Sequence, residues 1–166
     1  MRKVAIVMGS DSDLKTMQAA ADMLEKFQVP CCLRILSAHR TPDACRAFAL
    51  SAREEGYGAI IAGAGKAAHL AGALAASTTL PVIGVPIKSS TLDGLDALLS
   101  TVQMPTGMPV ATVAIDGAAN AALLAVQMLA IEDGALAEKY AAYREETTHK
   151  VLEKDEALAK EAAHNA

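Results

Sequence analysis

Short runs of β-branched and other apolar residues alternate with longer stretches of helical spacing along the whole chain, and this alternation restricts the fold more than any other feature. Residues 4–7 form an apolar run that reads as a strand buried on both faces. Leu14, Met17, Ala20, Ala21 and Leu24 then keep helical spacing, closed by Val29-Pro30. Residues 31–36 read as a second strand. Thr41-Pro42-Asp43 starts a helix, with threonine at the cap, proline at the first helical position and an acid in the first turn; this helix is expected to reach Gly56. Residues 59–62 are a third strand, followed by Gly63-Ala64-Gly65 and an alanine-rich helix beginning near Lys66 or Ala67. Residues 81–85 and 110–115 give the fourth and fifth strands, with helices over 92–102 and 118–131. The last of these is hydrophobic almost all round and so is expected to be buried. Residues 136–160, rich in Ala, Glu and Lys, read as one or two exposed helices.

Strand alternating with helix implies a parallel sheet covered on both faces and joined by right-handed crossovers. The expected architecture is α/β: a flavodoxin-like three-layer αβα sandwich on a five-stranded parallel sheet, with a C-terminal helical tail. One domain spans residues 1–166, its core about 3–132 and its tail about 134–166. At 166 residues the chain is long enough to bury a substantial core.

Composition removes several classes of function. A net charge of -4 and 3% aromatic residues supply neither the basic face nor the stacking platforms that nucleic acid needs. Three cysteines, two of them adjacent at Cys31 and Cys32, make no disulfide framework, and with Cys45 they match no zinc spacing. A reduced, cytoplasmic chain is expected. The apolar run after Met1-Arg2-Lys3 is too short for a signal peptide, and no stretch approaches ~20 apolar residues, so no membrane partner is expected.

The chemically distinctive residues fall after strands, where ligands of α/β sheets collect. After the first come Gly9-Ser10-Asp11-Ser12-Asp13: a glycine for close approach, and hydroxyls beside a helix start that suit an anion or act as a plain cap. After the second come Ser37-Ala38-His39-Arg40-Thr41-Pro42. A histidine there can move protons near neutral pH, and the arginine offers a planar fork to phosphate or carboxylate. After the third, Gly63-Ala64-Gly65-Lys66-Ala67-Ala68 formally matches a dinucleotide fingerprint. It lies on the third strand rather than the first, however, and no acid follows the next strand, where Pro86-Ile87-Lys88 stands instead. A Walker loop fails as well, since Ile60 occupies a required glycine position and Ala67 follows Lys66. His69, inside an apolar helix, reads as a core or rim histidine, while His149 and His164 lie in the charged tail. The residues alone thus point to a small anionic ligand and one proton-transferring histidine, with no metal and no nicotinamide cofactor.

Taken together the loops resemble the family of 5-(carboxyamino)imidazole ribonucleotide mutases, the catalytic subunit of phosphoribosylaminoimidazole carboxylase. The resemblance runs in order through residues 4–10 with Ser12-Asp13, residues 37–42, 60–65, 67–70, 81–86 and 102–105, then Gly107, Pro109-Val110 and Asn120-Ala121. It implies an isomerase of purine biosynthesis that needs no cofactor. Ser10, Ser12 and Asp13 would hold the ribose and phosphate, with Ser37 also contacting substrate and Arg40 gripping the phosphate. His39 would be the proton shuttle. Backbone groups of Ala64 and Gly65, with His69, would line a carbon dioxide pocket. The resemblance further implies a homo-octamer and transient contact with the upstream carboxyaminoimidazole ribonucleotide synthase. Arg40 favours the mutase over direct carboxylases of animal type, which resemble a pattern with lysine there; a non-catalytic nucleotide-binding paralogue is the other alternative. The chain departs from the family pattern at Lys66, where glycine is usual, and at Ala71, where proline is usual.

Overall fold

The computed structural model of the chain describes residues 2–164. Strand β1 (Lys3–Met8) is followed by a 3-10 turn (Asp11–Asp13) and helix α1 (Leu14–Lys26). Then come β2 (Cys31–Ile35), α2 (Pro42–Ser51), β3 (Tyr57–Gly65), α3 (Leu70–Ala75), β4 (Val82–Ile87), α4 (Leu95–Val102), β5 (Ala111–Thr112), α5 (Ala118–Ala130) and α6 (Gly134–His164). The five strands are all parallel and lie in the order β2-β1-β3-β4-β5, the flavodoxin-like arrangement.

β1 is apolar throughout because both of its faces are covered. Val4, Ile6 and Met8 point into one layer with Met17 and Leu24 of α1 and Ala121, Ala125 and Val126 of α5. Ala5 and Val7 point into the other with Phe48 of α2 and Leu70 and Leu74 of α3. Truncating Ile6 to alanine, which would leave a cavity in the first layer, costs about 2–5 kcal/mol. α6 is one continuous helix. It docks near its start, where Leu136 is buried and Phe27 meets the rings of Tyr140 and Tyr143 at 6.1 and 5.4 Å, and it then runs out exposed. Among the described residues, no helix is long and apolar enough to cross a membrane.

Several elements differ from the sequence reading. β5 is two residues long rather than six. Gly84 and Pro86 turn their backbones toward it, accepting from Val113 and Asp116 N–H, but Pro86 has no N–H to return, so the ladder stops at Thr112. β3 extends through Gly63-Ala64-Gly65, expected as a loop, and α3 starts only at Leu70. Lys66 adopts φ 55, a left-handed backbone that no α-helix continues through. α4 likewise starts at Leu95 rather than 92, because Asp93 and Gly94 have φ 51 and 94. α2 ends at Ser51, and the chain reaches Gly56 through turns.

Candidate active site

In this strand order the winding reverses between β1 and β3, where α/β sheets open a crevice at the carboxyl ends of the strands. The loops after β1, β2, β3 and β4 meet there around a cleft of about 760 Å³. Every site residue expected from sequence lines it: Ser10, Ser12, Asp13, Ser37, His39, Arg40, Ala64, Gly65 and His69. A larger groove, about 980 Å³, lies at the amino-terminal edge of β4, bounded by α2 residues and residues 75–82. It holds no histidine, and its Arg53 is already bound to the carbonyl and hydroxyl of Thr79, so size is a poorer guide here than chemistry.

The β1 loop is knitted by its own hydroxyls. Ser10 caps the 3-10 turn, its Oγ accepting from Ser12 N–H at 3.3 Å and from Ser12 Oγ at 3.0 Å, while Ser10 Oγ donates to Asp11 Oδ1 at 3.1 Å. Asp13 is half-buried. Loss of water raises its carboxyl above the ordinary aspartate range, opposed by hydrogen bonds from the Ser10 backbone and Ser12 and by the charge of Arg40.

The β2 loop is built the same way and is tied to its neighbour. Ser37 N–H donates to Thr41 Oγ1 at 2.9 Å, and Arg40 N–H donates to Ser37 Oγ at 3.1 Å. The Arg40 guanidinium donates from Nε to Ser37 Oγ at 3.3 Å and from Nη2 to Gly9 O at 2.6 Å, bridging the two loops. These contacts hold the fork in place and leave most of its five N–H groups for a ligand.

His39 projects from this loop across to the end of the β3 loop. Its Nε2 lies 2.8 Å from His69 Nδ1, with the rings at 90°. One nitrogen must carry the proton and the other the lone pair, so the contact fixes complementary tautomers and offers a path for one proton. His69 is therefore not a core histidine within a helix. It is exposed, at the cap position before α3, because the left-handed Lys66 delays that helix.

The fingerprint-like glycines lie at the end of β3, and the first of them has a packing role. The space a Cβ on Gly63 would fill is taken by the Met17 sulfur of α1, so this glycine serves helix packing. Lys66, at the rim, accepts a conformation that costs a side-chain-bearing residue ~1–2 kcal/mol. Residues that sequence reasoning missed also line the cleft: Lys15 and Thr16 at the start of α1, and Ile87, Lys88 and Ser89 at the carboxyl end of β4. The strand-end rule would have found the last three had it been applied to the fourth strand as to the first three. Among the described residues, no group of three His, Cys, Asp or Glu side chains is placed to hold a metal ion.

The sequence matches the family described as AIR carboxylase over residues 3–150. It is 59% identical over 146 residues to the N5-carboxyaminoimidazole ribonucleotide mutase of Pyrococcus abyssi, covering 88% of this chain and 84% of that protein. It is 56% identical over 153 residues to the mutase of the same name from Escherichia coli K12, covering 91% and 90%. A phosphoribosylaminoimidazole carboxylase, chloroplastic, of Vigna aconitifolia is 54% identical over 95% of this chain, which spans only 28% of the plant protein's length. Among solved structures, Treponema denticola PurE superposes with a TM-score of 0.84 at 30% identity, covering 93% of this chain and 97% of that one. A family match across nearly the whole fold, with relatives 54–59% identical over most of the chain, makes this chain a member of the AIR carboxylase family.

Proposed function

We propose that this chain is an isomerase of purine biosynthesis, converting 5-(carboxyamino)imidazole ribonucleotide to 4-carboxy-5-aminoimidazole ribonucleotide as a single mutase domain without a cofactor. The observation that carries the reading is the His39–His69 contact of 2.8 Å, set in one cleft with the Ser10, Ser12, Ser37 and Arg40 cluster. The mutase-named relatives, covered over most of their length, support it.

The chemistry needs what this cleft offers. The bond from carboxyl carbon to exocyclic nitrogen breaks, carbon dioxide leaves, and the nitrogen takes a proton. The ring carbon then attacks carbon dioxide, a carbon–carbon bond forms, and that carbon surrenders its proton. One proton is taken up and one is released, so a single group that gives and retakes a proton suffices. His39 is that shuttle, and His69 passes or holds the proton behind it. Ser10, Ser12 and Asp13 hold the ribose and phosphate, Ser37 and Arg40 close on the phosphate, and backbone groups of Ala64 and Gly65 line the space that keeps carbon dioxide from water.

Assembly as a homo-octamer fits the surface of the single chain, where Leu95, Leu99 and Val102 form an apolar stripe along α4 facing solvent. Free cysteines at 31, 32 and 45 suit the reducing cytoplasm, where the upstream synthase would hand over its product by transient contact. A direct carboxylase is the second reading, favoured by the name of the plant relative. An ultraviolet assay with purified protein and the carboxyamino substrate separates the readings, run with EDTA and without ATP or added bicarbonate. Product formation under these conditions is expected. Product only on adding bicarbonate would assign the carboxylase, and nucleotide binding without turnover would assign a non-catalytic paralogue.

A further inference from the structure

The loop that ends in His69 has few bonds of its own. Lys66 stands in a left-handed conformation, Ala67 is exposed, and the turn closes by a hydrogen bond from His69 N–H to Ala67 O at 2.9 Å. Its remaining support comes from α4, which does not line the cleft. Ala68 N–H donates to Ser100 Oγ at 3.0 Å, and the nearest acceptor for the Ser100 hydroxyl is the carbonyl of Asp96 at 2.7 Å, one helical turn earlier, with Ala97 O at 3.2 Å and Lys66 O at 3.3 Å beyond it. A hydroxyl has one proton and two lone pairs. Donating to Asp96 O points a lone pair at Ala68, so the helix backbone orients the very group that holds the loop.

α4 is itself a firm anchor. Thr101 is 2% exposed, donates to Ala97 O at 2.7 Å, and packs its methyl into the space left by the absent side chain of Gly84 on β4. A chain of contacts therefore runs from β4 through α4 and Ser100 to Ala68, and the next residue is His69.

We propose that Ser100 is a positioning residue for the proton relay: its hydroxyl fixes the Lys66–Ala68 turn so that His69 Nδ1 stays within hydrogen-bond reach of His39 Nε2. The proposal rests on the mutase reading and adds to it a residue outside the cleft. Small displacements of a reacting group are costly, with ~1 Å worth up to ~100-fold in rate. Loss of the Ser100 hydroxyl would let the turn move while leaving the Ser10, Ser12, Ser37 and Arg40 cluster untouched.

The test is a double-mutant cycle on single-turnover rates with Ser100→Ala and His69→Ala, accompanied by nucleotide dissociation constants. Alanine is a good helix former, so α4 should persist, and Ser100→Cys serves as a second variant that keeps the volume but offers only a weak thiol. Ser100→Ala should slow turnover about tenfold with nucleotide affinity within about twofold of wild type. Ser100→Cys should fall between, and Ser100→Thr, which keeps the hydroxyl, should recover most of the rate. In the His69→Ala background the same Ser100 changes should cost almost nothing, because there is no longer a ring to place. Equal losses in both backgrounds, or wild-type turnover in Ser100→Ala, would overturn the proposal. Wild-type protein that fails to turn over the carboxyamino substrate would instead overturn the functional reading, so the two failures are separate.

Discussion

The two sides of the cleft are built differently. The β1 and β2 loops are dense with internal hydrogen bonds: Ser10 to Ser12, Ser37 to Thr41, and Arg40 across to Gly9. The β3 loop bears a strained backbone at Lys66 and borrows its main support from Ser100 on a neighbouring helix. Dense internal bonding pre-orders this side of the cleft, which lowers the ordering cost of binding a ligand there. A loop steadied from outside can place one ring with little bulk around it, leaving room for carbon dioxide beside the reacting carbon. For the proposed reaction this contrast implies a division of labour: one side sets affinity, the other sets rate, and His39 reaches from the first to the second.

That division can be broken most forcefully at His39. His39→Asn should keep the fold and nucleotide binding while losing ~100- to 10,000-fold in kcat, the usual cost of removing an acid–base group. Rate measurements within tenfold of wild type would move proton transfer to His69. Arg40→Lys sharpens the opposite side. The charge remains, but the forked contact and the bridge to Gly9 are lost, so KM should rise about 10- to 100-fold, as expected for a charged hydrogen bond worth ~1.5–3 kcal/mol, with kcat little changed. An unchanged KM would show that Arg40 does not face the phosphate. The smallest effect is expected at Lys66. Lys66→Gly removes a left-handed strain of ~1–2 kcal/mol, so thermal melting should rise slightly while turnover stays within about tenfold. A hundredfold loss with binding intact would place the Lys66 ammonium in the chemistry and make this side of the cleft denser in function than its bonding suggests.

How much of this was legible in sequence follows the same line. β1 could be read because a strand covered on both faces is apolar without interruption, and the lining of the cleft because serines, an aspartate and an arginine stood immediately after strands. Most of the features that escaped depend on partners distant in the chain. β5 is cut short by a missing donor on β4, at Pro86, which no reading of residues 110–115 alone reveals. The late start of α3 comes from a lysine adopting a conformation its side chain does not advertise. The contact between His39 and His69 joins residues on two separate loops, and Ser100 looks like any polar residue on an amphipathic helix until the turn it holds is folded against it. Local pattern thus revealed the β1 and β2 side of the cleft more fully than the β3 side.

The account stands on intramolecular carboxyl transfer within this cleft, and an isotope measurement addresses that claim without any mutant. The substrate is prepared with carbon-13 in its carboxyamino group and turned over by the wild-type protein in excess unlabelled bicarbonate. A closed pocket that traps and recaptures carbon dioxide predicts product carrying the label almost undiluted. Product whose carboxyl carbon comes from the unlabelled bicarbonate pool would contradict it and assign the chain to direct carboxylation.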